Sequence, residues 1–313
     1  MSFALQVLSL FALITCGYVA RKRRMVSAQG TSDLAHLATG MIYPALVFVS
    51  MLQLSAEDLL ANALMPVLVM VIAFIGFGLG LIAVRFLGRV PPETSRAFLF
   101  HCLINNYMFL PLPMVLFLYG ERGVALLVYS SLGYELIVWT LGVFLFTGQN
   151  EPLSQRIRRV ISPPFIALLA GITFVLLRDL LSVELRGLAA ALSESLLFVA
   201  RTLGQGTVAV AVIVAGSRFA VLKPQTMLGW RIWLLSVIRL VFVPLAFLPL
   251  VFWLPLESSA RGILVIIAVM PSAITSIIFS ERYGGDSEFI AGGLLMTHLW
   301  ALITVPLFLA WVL

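Results

Sequence analysis

The stretch Ile104-Asn105-Asn106-Tyr107-Met108-Phe109-Leu110-Pro111-Leu112-Pro113 decides the fold, because it sets two amides and two prolines inside an otherwise apolar segment. Proline removes a backbone donor and clashes with the preceding turn, so we do not expect a helix to continue through this stretch. In hydrocarbon, irregular backbone persists only where it is buried in protein or lines a cavity. A second stretch of this kind, Met270-Pro271-Ser272-Ala273-Ile274-Thr275-Ser276, lies half a chain later. We therefore interpret both breaks as lining a substrate site.

The composition places the chain in the lipid bilayer. Of its 313 residues, 61% are hydrophobic and 11% are charged, which is far too apolar for a soluble domain. At roughly 20 residues per span, this length accommodates about ten transmembrane helices. The fold class predicted is an all-α polytopic membrane protein. Its spans are predicted near 3–20, 34–52, 62–84, 97–118, 123–147, 163–181, 190–217, 229–252, 262–280 and 289–312.

The basic residues predict the orientation. When the loop after the first span is placed inside, inside loops hold fourteen of the 20 Lys and Arg residues and outside loops hold four. This bias predicts a multi-pass protein of the cytoplasmic membrane with both termini on the extracytoplasmic side. It also explains the net charge of +6 as a topology signal, so we predict no nucleic-acid partner.

The polar linker 148–162 divides the chain into two sets of five predicted spans, 1–147 and 163–313. Because five is odd, the second set enters the membrane from the opposite side, which is the plan of an inverted-topology repeat in many secondary transporters. In each half the fourth span is the one interrupted by proline. The matching positions favour crossed, discontinuous fourth and ninth helices.

The breaks supply the candidate binding groups. A half-helix N-terminus near the bilayer midplane carries partial positive charge and suits an anion, while amides and hydroxyls donate and accept hydrogen bonds. The alternative is that these groups only satisfy the broken backbone, but two breaks at matching places favour a binding site. The candidates are Asn105, Asn106, Pro111, Pro113, Pro271, Ser272, Thr275 and Ser276, with Tyr43 and Pro44 of a kinked second span.

Ionisable residues within spans are costly in lipid and usually face a bundle interior or a cavity. Glu135 and Arg239 lie at similar depths in their spans, so we expect either a structural ion pair or a coupling role for H⁺ or Na⁺. His298 falls opposite Glu135 at the repeat offset, where it either handles a proton or bonds a neighbouring group. The sequence holds no metal-ligand cluster, phosphate-binding loop, nucleophile elbow or catalytic carboxylate pair, so we predict no enzyme activity and no cofactor.

The motifs around the two breaks resemble those of the auxin efflux carrier family, which comprises plant auxin carriers and their bacterial relatives. The matching motifs are Asn106-x6-Pro113 with Leu118-Tyr119-Gly120-Glu121, Met270-Pro271-Ser272-Ala273 with Ser280-Glu281-Arg282-Tyr283-Gly284-Gly285-Asp286, and Trp139-Thr140-Leu141-Gly142-Val143. Two positions depart from the family pattern. Pro111 stands where Gly is usual, and Thr275 where Asn is frequent.

The resemblance implies a fold like that of sodium/proton antiporters. Spans 1, 2, 6 and 7 would form a scaffold and a homodimer face, and spans 3–5 and 8–10 a transport bundle that moves as an elevator. The substrate would be a small organic anion whose carboxylate is held by the Asn106 amide and the half-helix N-termini. An ion-coupled exchanger using Glu135, Arg239 or His298, and a receptor that binds without transporting, remain alternatives.

Overall fold

The computed structural model describes residues 3–147, 161–181, 188–221, 229–283 and 285–312. Most of the predicted linker, residues 148–160, lies outside these described residues. Throughout the described ranges the regular elements are helices, and the one β-type pairing is an isolated bridge. The predicted all-helical class is therefore confirmed.

Twelve helices account for these ranges. In the first half they are α1 (Phe3–Lys22), α2 (Ala28–Met51), α3 (Ala56–Ala61), α4 (Leu64–Val84), α5 (Pro92–Leu103) and α6 (Pro111–Thr147). In the second half they are α7 (Pro163–Leu181), α8 (Leu188–Phe219), α9 (Trp230–Trp253), α10 (Ser258–Ala268), α11 (Ser276–Tyr283) and α12 (Ser287–Val312). Seven helical stretches of the described chain are long and apolar enough to cross a membrane. The count of ten spans and the inverted repeat stay predictions.

Both breaks occur where the sequence predicts them, but the two prolines of the first have a different role. Between α5 and α6 the helix is interrupted, and Pro111 and Pro113 lie in the first turn of α6. A proline at the start of a helix loses no hydrogen bond, and its fixed φ angle suits the first turn. The prediction that no helix continues through this stretch is therefore confirmed, and the prolines mark the end of the break, where the next helix begins. Pro271, by contrast, lies inside the second break, between α10 and α11.

Glycine and wide helical turns shape the long helices. Gly120, at φ 63° and ψ −162°, puts a corner into α6 between the fourth and fifth predicted spans. This left-handed backbone favours glycine because it has no Cβ. In α2 and α9 a π-helical turn, Ala38–Ile42 and Ile238–Phe242 respectively, comes just before a proline. The wider turn relieves the clash between the proline ring and the preceding carbonyl groups.

The helices pack in two groups. α1 lies along α8, and α2 packs against α7 and α8. The other group consists of α4 to α6 with α9 to α12, and both breaks lie within it. At the contact between α1 and α8, a Cβ on Gly216 would lie 1.9 Å from the carbonyl oxygen of Ile14, so only glycine allows this approach.

Gly76 of α4 sets the distance between α4 and the end of α5. A Cβ added at Gly76 would lie 2.0 Å from the carbonyl oxygen of Cys102, whereas one at Gly78 would meet nothing within 4 Å. We expect Gly76→Ala to destabilise the protein by about 1–3 kcal/mol through overpacking, and Gly78→Ala to be neutral or to stabilise it by up to about 1 kcal/mol. Thermal unfolding of the purified variants in detergent measures both. Equal unfolding midpoints would contradict this packing.

Candidate functional site

The two breaks pair with each other through their backbones. The Asn106 N–H donates to the Pro271 carbonyl at 2.8 Å, and the Ala273 N–H donates to the Ile104 carbonyl at 3.2 Å. These bonds form an antiparallel bridge between Asn105 and Ser272. Backbone groups that have no helical partner thus satisfy each other, as a buried irregular segment requires. We call the paired segments 104–110 and 269–275 the crossing.

Asn106 caps the helix that follows the first break. Its side chain is 3% exposed, and its Oδ1 accepts hydrogen bonds from the backbone N–H groups of Phe109 at 3.1 Å and Leu110 at 3.3 Å. These N–H groups belong to the turn that leads into α6, so the amide oxygen stabilises the start of that helix in the manner of an N-cap, although Leu110 is the residue directly before it. The Nδ2 group of Asn106, at the other end of the amide, has no hydrogen-bond partner among the described residues.

Asn105 acts on the helix that precedes the second break. Its fully buried Nδ2 donates to the carbonyl of Ile267 at 2.5 Å, in the last turn of α10. The last carbonyl groups of a helix lack partners within that helix, so this bond satisfies one of them. The two adjacent amides therefore stabilise helix ends in different halves of the chain.

Arg239 completes the end of α10. Its guanidinium is fully buried; Nη2 donates to the carbonyl of Ala268 at 3.0 Å, and Nε donates to that of Met270 at 3.2 Å. A cation at a helix C-terminus also interacts favourably with the negative end of the helix dipole. The π-helical turn of α9 contains Arg239, and such turns recur at functional sites.

Glu135 and Arg239 do not form the ion pair that their similar depths suggest. The Glu135 carboxylate, 6% exposed, accepts hydrogen bonds from the Tyr107 hydroxyl at 3.0 Å and from Trp139 Nε1 at 2.9 Å. The Arg239 guanidinium is occupied by backbone carbonyl groups instead. The prediction of a pair is therefore wrong, because Glu135 is bonded by the Tyr107 and Trp139 donors while Arg239 is bonded to the carbonyl groups at the end of α10.

The remaining predicted residues differ in burial and in their contacts with the crossing. Ser272 and Ser276 are fully buried within and directly after the second break, whereas Thr275 is half-buried. On α2, the Tyr43 ring lies 5.8 Å from that of Phe109 in the crossing, so Tyr43 does pack on the first break. Pro44, beside it, is half-buried.

His298 lies in α12, one residue from a side chain that reaches the crossing. Its Nδ1 is 2.8 Å from the carbonyl of Leu294 in the same helix, and its ring packs edge-on against Phe219. The neighbouring Thr297 Oγ1 accepts a hydrogen bond from the Ser272 N–H at 3.4 Å. His298 thus fits the expectation of a histidine bonded to a neighbour, and Thr297 is a site residue that the sequence reasoning missed.

Two tyrosines were also missed. Tyr107 belongs to the crossing, and its ring stacks on that of Tyr134 at 4.6 Å. The Tyr134 hydroxyl faces the Arg239 guanidinium without hydrogen-bond geometry. The signal available in the sequence was their position: Tyr107 stands inside the first break, and Tyr134 precedes Glu135 in the same apolar span.

Several buried polar atoms around the crossing have no hydrogen-bond partner within the described part of the chain. They are Asn105 Oδ1, Asn106 Nδ2, Tyr134 Oη, Arg239 Nη1, Ser272 Oγ and Ser276 Oγ. An unsatisfied buried polar group costs about 1–3 kcal/mol, and native proteins contain few of them. Asn106 Nδ2 and the cationic Arg239 Nη1 are donors, the three hydroxyl groups can donate or accept, and Asn105 Oδ1 accepts. The arrangement therefore suits a ligand that accepts hydrogen bonds and carries negative charge.

Comparison with known proteins places this architecture among transporters. The chain matches the model of a family described as membrane transport protein, in two stretches covering residues 2–158 and 153–309. It is 22% identical over 304 residues to an uncharacterized transporter of Methanothermobacter thermautotrophicus, covering 96% of this chain and 95% of the relative. It is 20% identical over 311 residues to the uncharacterized transporter MJ1031 of Methanocaldococcus jannaschii, covering 98% and 97%.

Proposed function

The chain belongs to the membrane transport protein family, which is the family of the auxin efflux carriers, and on that premise we propose that it is a secondary carrier of a small organic anion. The anion is a carboxylate, and the carrier lies in the cytoplasmic membrane with both termini on the extracytoplasmic side. It is a transporter and not an enzyme.

The observation that carries this proposal is the set of unsatisfied donors at the crossing. Asn106 Nδ2 and Arg239 Nη1 are buried without a hydrogen-bond partner among the described residues, and the hydroxyl groups of Ser272 and Ser276 lie on the opposite break. A carboxylate accepts up to four hydrogen bonds, and its bonds to such donors are about twice as strong as those between neutral groups. The start of α6, which follows the crossing, adds the positive end of the helix dipole, while its first N–H groups are bonded to Asn106 Oδ1 or replaced by proline.

The packing of the helices supports an elevator movement. Both breaks lie in the group formed by α4 to α6 and α9 to α12, while the most extensive contacts of α1, α2, α7 and α8 are with one another. A carboxylate bound at the crossing would therefore travel with α4 to α6 and α9 to α12 as this group slides along α1, α2, α7 and α8. We assign the homodimer face to the group of α1, α2, α7 and α8, as the family resemblance implies.

Uptake of labelled carboxylates by proteoliposomes tests the site. We expect a panel of labelled mono- and dicarboxylates to include one that the wild-type protein transports, and Ser272→Ala to lower its uptake about tenfold by removing a buried hydrogen-bonding group. Ser236→Ala is the matched control, because the Ser236 hydroxyl is equally buried but bonds to Ile232 in its own helix.

Thermal-shift measurements with the same compounds separate binding from transport. A compound that binds the folded state raises the unfolding midpoint, so the transported carboxylate should stabilise the wild-type protein. Binding without uptake would favour the receptor alternative. Equal uptake by the Ser272 and Ser236 variants would contradict the assignment of the crossing.

A further inference from the structure

Glu135 is a buried carboxyl group without a cation. Among the described residues no Lys, Arg or His lies within ion-pair distance of it. Among the described residues, the titratable groups that interact with it are Tyr43 on α2 and Tyr107 in the crossing. Arg239 interacts with Tyr134 and Cys102. An unpaired buried carboxylate is expensive, so a cation must reach it during the working cycle or the group must be neutral for part of it.

The hydrogen bonds of Glu135 favour a proton over Na⁺ as its cation. Trp139 Nε1 is a donor only, and it is directed at Oε2 from 2.9 Å. An oxygen that accepts this N–H faces a positive dipole and is a poor ligand for Na⁺, which needs several oxygen ligands. The Tyr107 hydroxyl, 3.0 Å from Oε1, can either donate or accept. Oε1 therefore has a neighbour that accommodates a proton, and Oε2 does not.

We propose that Glu135 is the proton-binding site of this carrier, with the proton held on Oε1 against the Tyr107 hydroxyl. This inference rests on the proposed carrier function and adds to it the coupling ion and the residue that holds it. The connection to the substrate is direct, because Tyr107 belongs to the crossing itself.

Binding and release of one proton at Glu135 would couple proton movement to substrate transport. In the ionised state the Tyr107 O–H donates to Oε1, so its hydrogen is occupied. A proton taken up from water on one side of the membrane binds Oε1, converts the carboxylate to a neutral acid and donates to the Tyr107 oxygen. The Tyr107 hydrogen is then released to donate to a carboxylate oxygen of the substrate. Loss of the proton on the other side restores the first arrangement and weakens the hold on the substrate, which makes the transport a symport of proton and anion.

Infrared difference spectroscopy of the purified protein tests the proton site without a substrate. Acidification should produce the C=O stretching band of a buried carboxylic acid, and Glu135→Gln should abolish that band. Because the proton is on Oε1, the C=O oxygen is Oε2, and its bond to Trp139 lowers the stretching frequency. Trp139→Phe should therefore move the band to higher frequency, while Tyr107→Phe should leave its frequency nearly unchanged.

Two spectroscopic outcomes would overturn the assignment. One is a carboxylic acid band that persists in Glu135→Gln. The other is the absence of any Glu135-dependent change across the pH range in which the protein stays folded. A frequency shift in Tyr107→Phe but not in Trp139→Phe would place the proton on Oε2 and contradict the proposed link to the crossing.

Proteoliposome flux then tests the coupling. With labelled malonate as the probe, an inward proton gradient should accelerate wild-type uptake about tenfold, and Glu135→Gln should lose this acceleration. Gradient-insensitive uptake by the wild type would contradict the coupling. If neither malonate nor any other carboxylate of the panel is transported, this arm counts against the proposed substrate class, whereas the infrared bands still decide whether Glu135 exchanges a proton.

Discussion

Replacing Arg239 with alanine is expected to lower the unfolding midpoint of the purified protein by on the order of 10 °C. The substitution removes two hydrogen bonds from a charged donor, each worth about 1.5–3 kcal/mol, and leaves the carbonyl groups of Ala268 and Met270 without partners. For a chain of this size one kcal/mol corresponds to roughly 2–4 °C. The fully buried side chain also leaves a cavity at the end of α10.

Two further variants separate the effect of the guanidinium hydrogen bonds from the effect of losing a positive charge. Arg239→Lys keeps a cation but presents one nitrogen instead of three, so it should hold one of the two carbonyl groups and lose about half as much stability. Arg201→Ala is the control for loss of a positive charge, because Arg201 is exposed on α8. If Arg239→Ala unfolds at the same temperature as Arg201→Ala, the guanidinium does not support the crossing.

Changing Asn106 to aspartate should separate the two functions of its amide. Aspartate keeps the oxygen that accepts hydrogen bonds from the Phe109 and Leu110 N–H groups, so the start of α6 should stay capped. It replaces the unpartnered Nδ2 donor with a second acceptor, which repels a carboxylate. We therefore expect a folded protein that has lost its transport.

The alanine variant of Asn106 provides the comparison. It removes both the cap and the donor, so it should lose transport and also about 1 kcal/mol of stability. Asn62→Ala is the matched control for a buried amide. Asn62 is 3% exposed and donates to the Asp58 carbonyl, away from the crossing, so its loss should affect stability alone.

The sequence predicts the existence and the location of both breaks, because the position of prolines and amides in apolar segments is a local property. It does not predict which partner each polar group takes. Asn105 bonds the carbonyl of Ile267, 162 positions along the chain, and Arg239 bonds carbonyl groups about 30 positions ahead. Such pairings follow from how the helices pack, and no periodic pattern in the sequence encodes them.

The prolines show a second limit. Pro111 and Pro113 indicate that a helix is interrupted, but the same residues also favour the first turn of a helix. The sequence alone does not show on which side of the prolines the break lies. The bridge between Asn105 and Ser272 places the extended backbone before Pro111, so the prolines begin α6. Similar depth likewise suggests that Glu135 meets Arg239, but Glu135 accepts from two side-chain donors and Arg239 donates to two backbone carbonyl groups instead.

The central claim is that the crossing binds the carboxylate of the substrate through donors that the fold leaves unsatisfied. The most direct test is the initial rate of uptake of the transported carboxylate by Asn106→Asp in proteoliposomes, with the unfolding midpoint measured on the same preparation. We predict that uptake falls by about tenfold or more, which corresponds to the loss of one hydrogen bond to a charged group, while the variant stays folded at the assay temperature with a midpoint lowered by the buried charge. Uptake at the wild-type rate by this folded variant would contradict the claim.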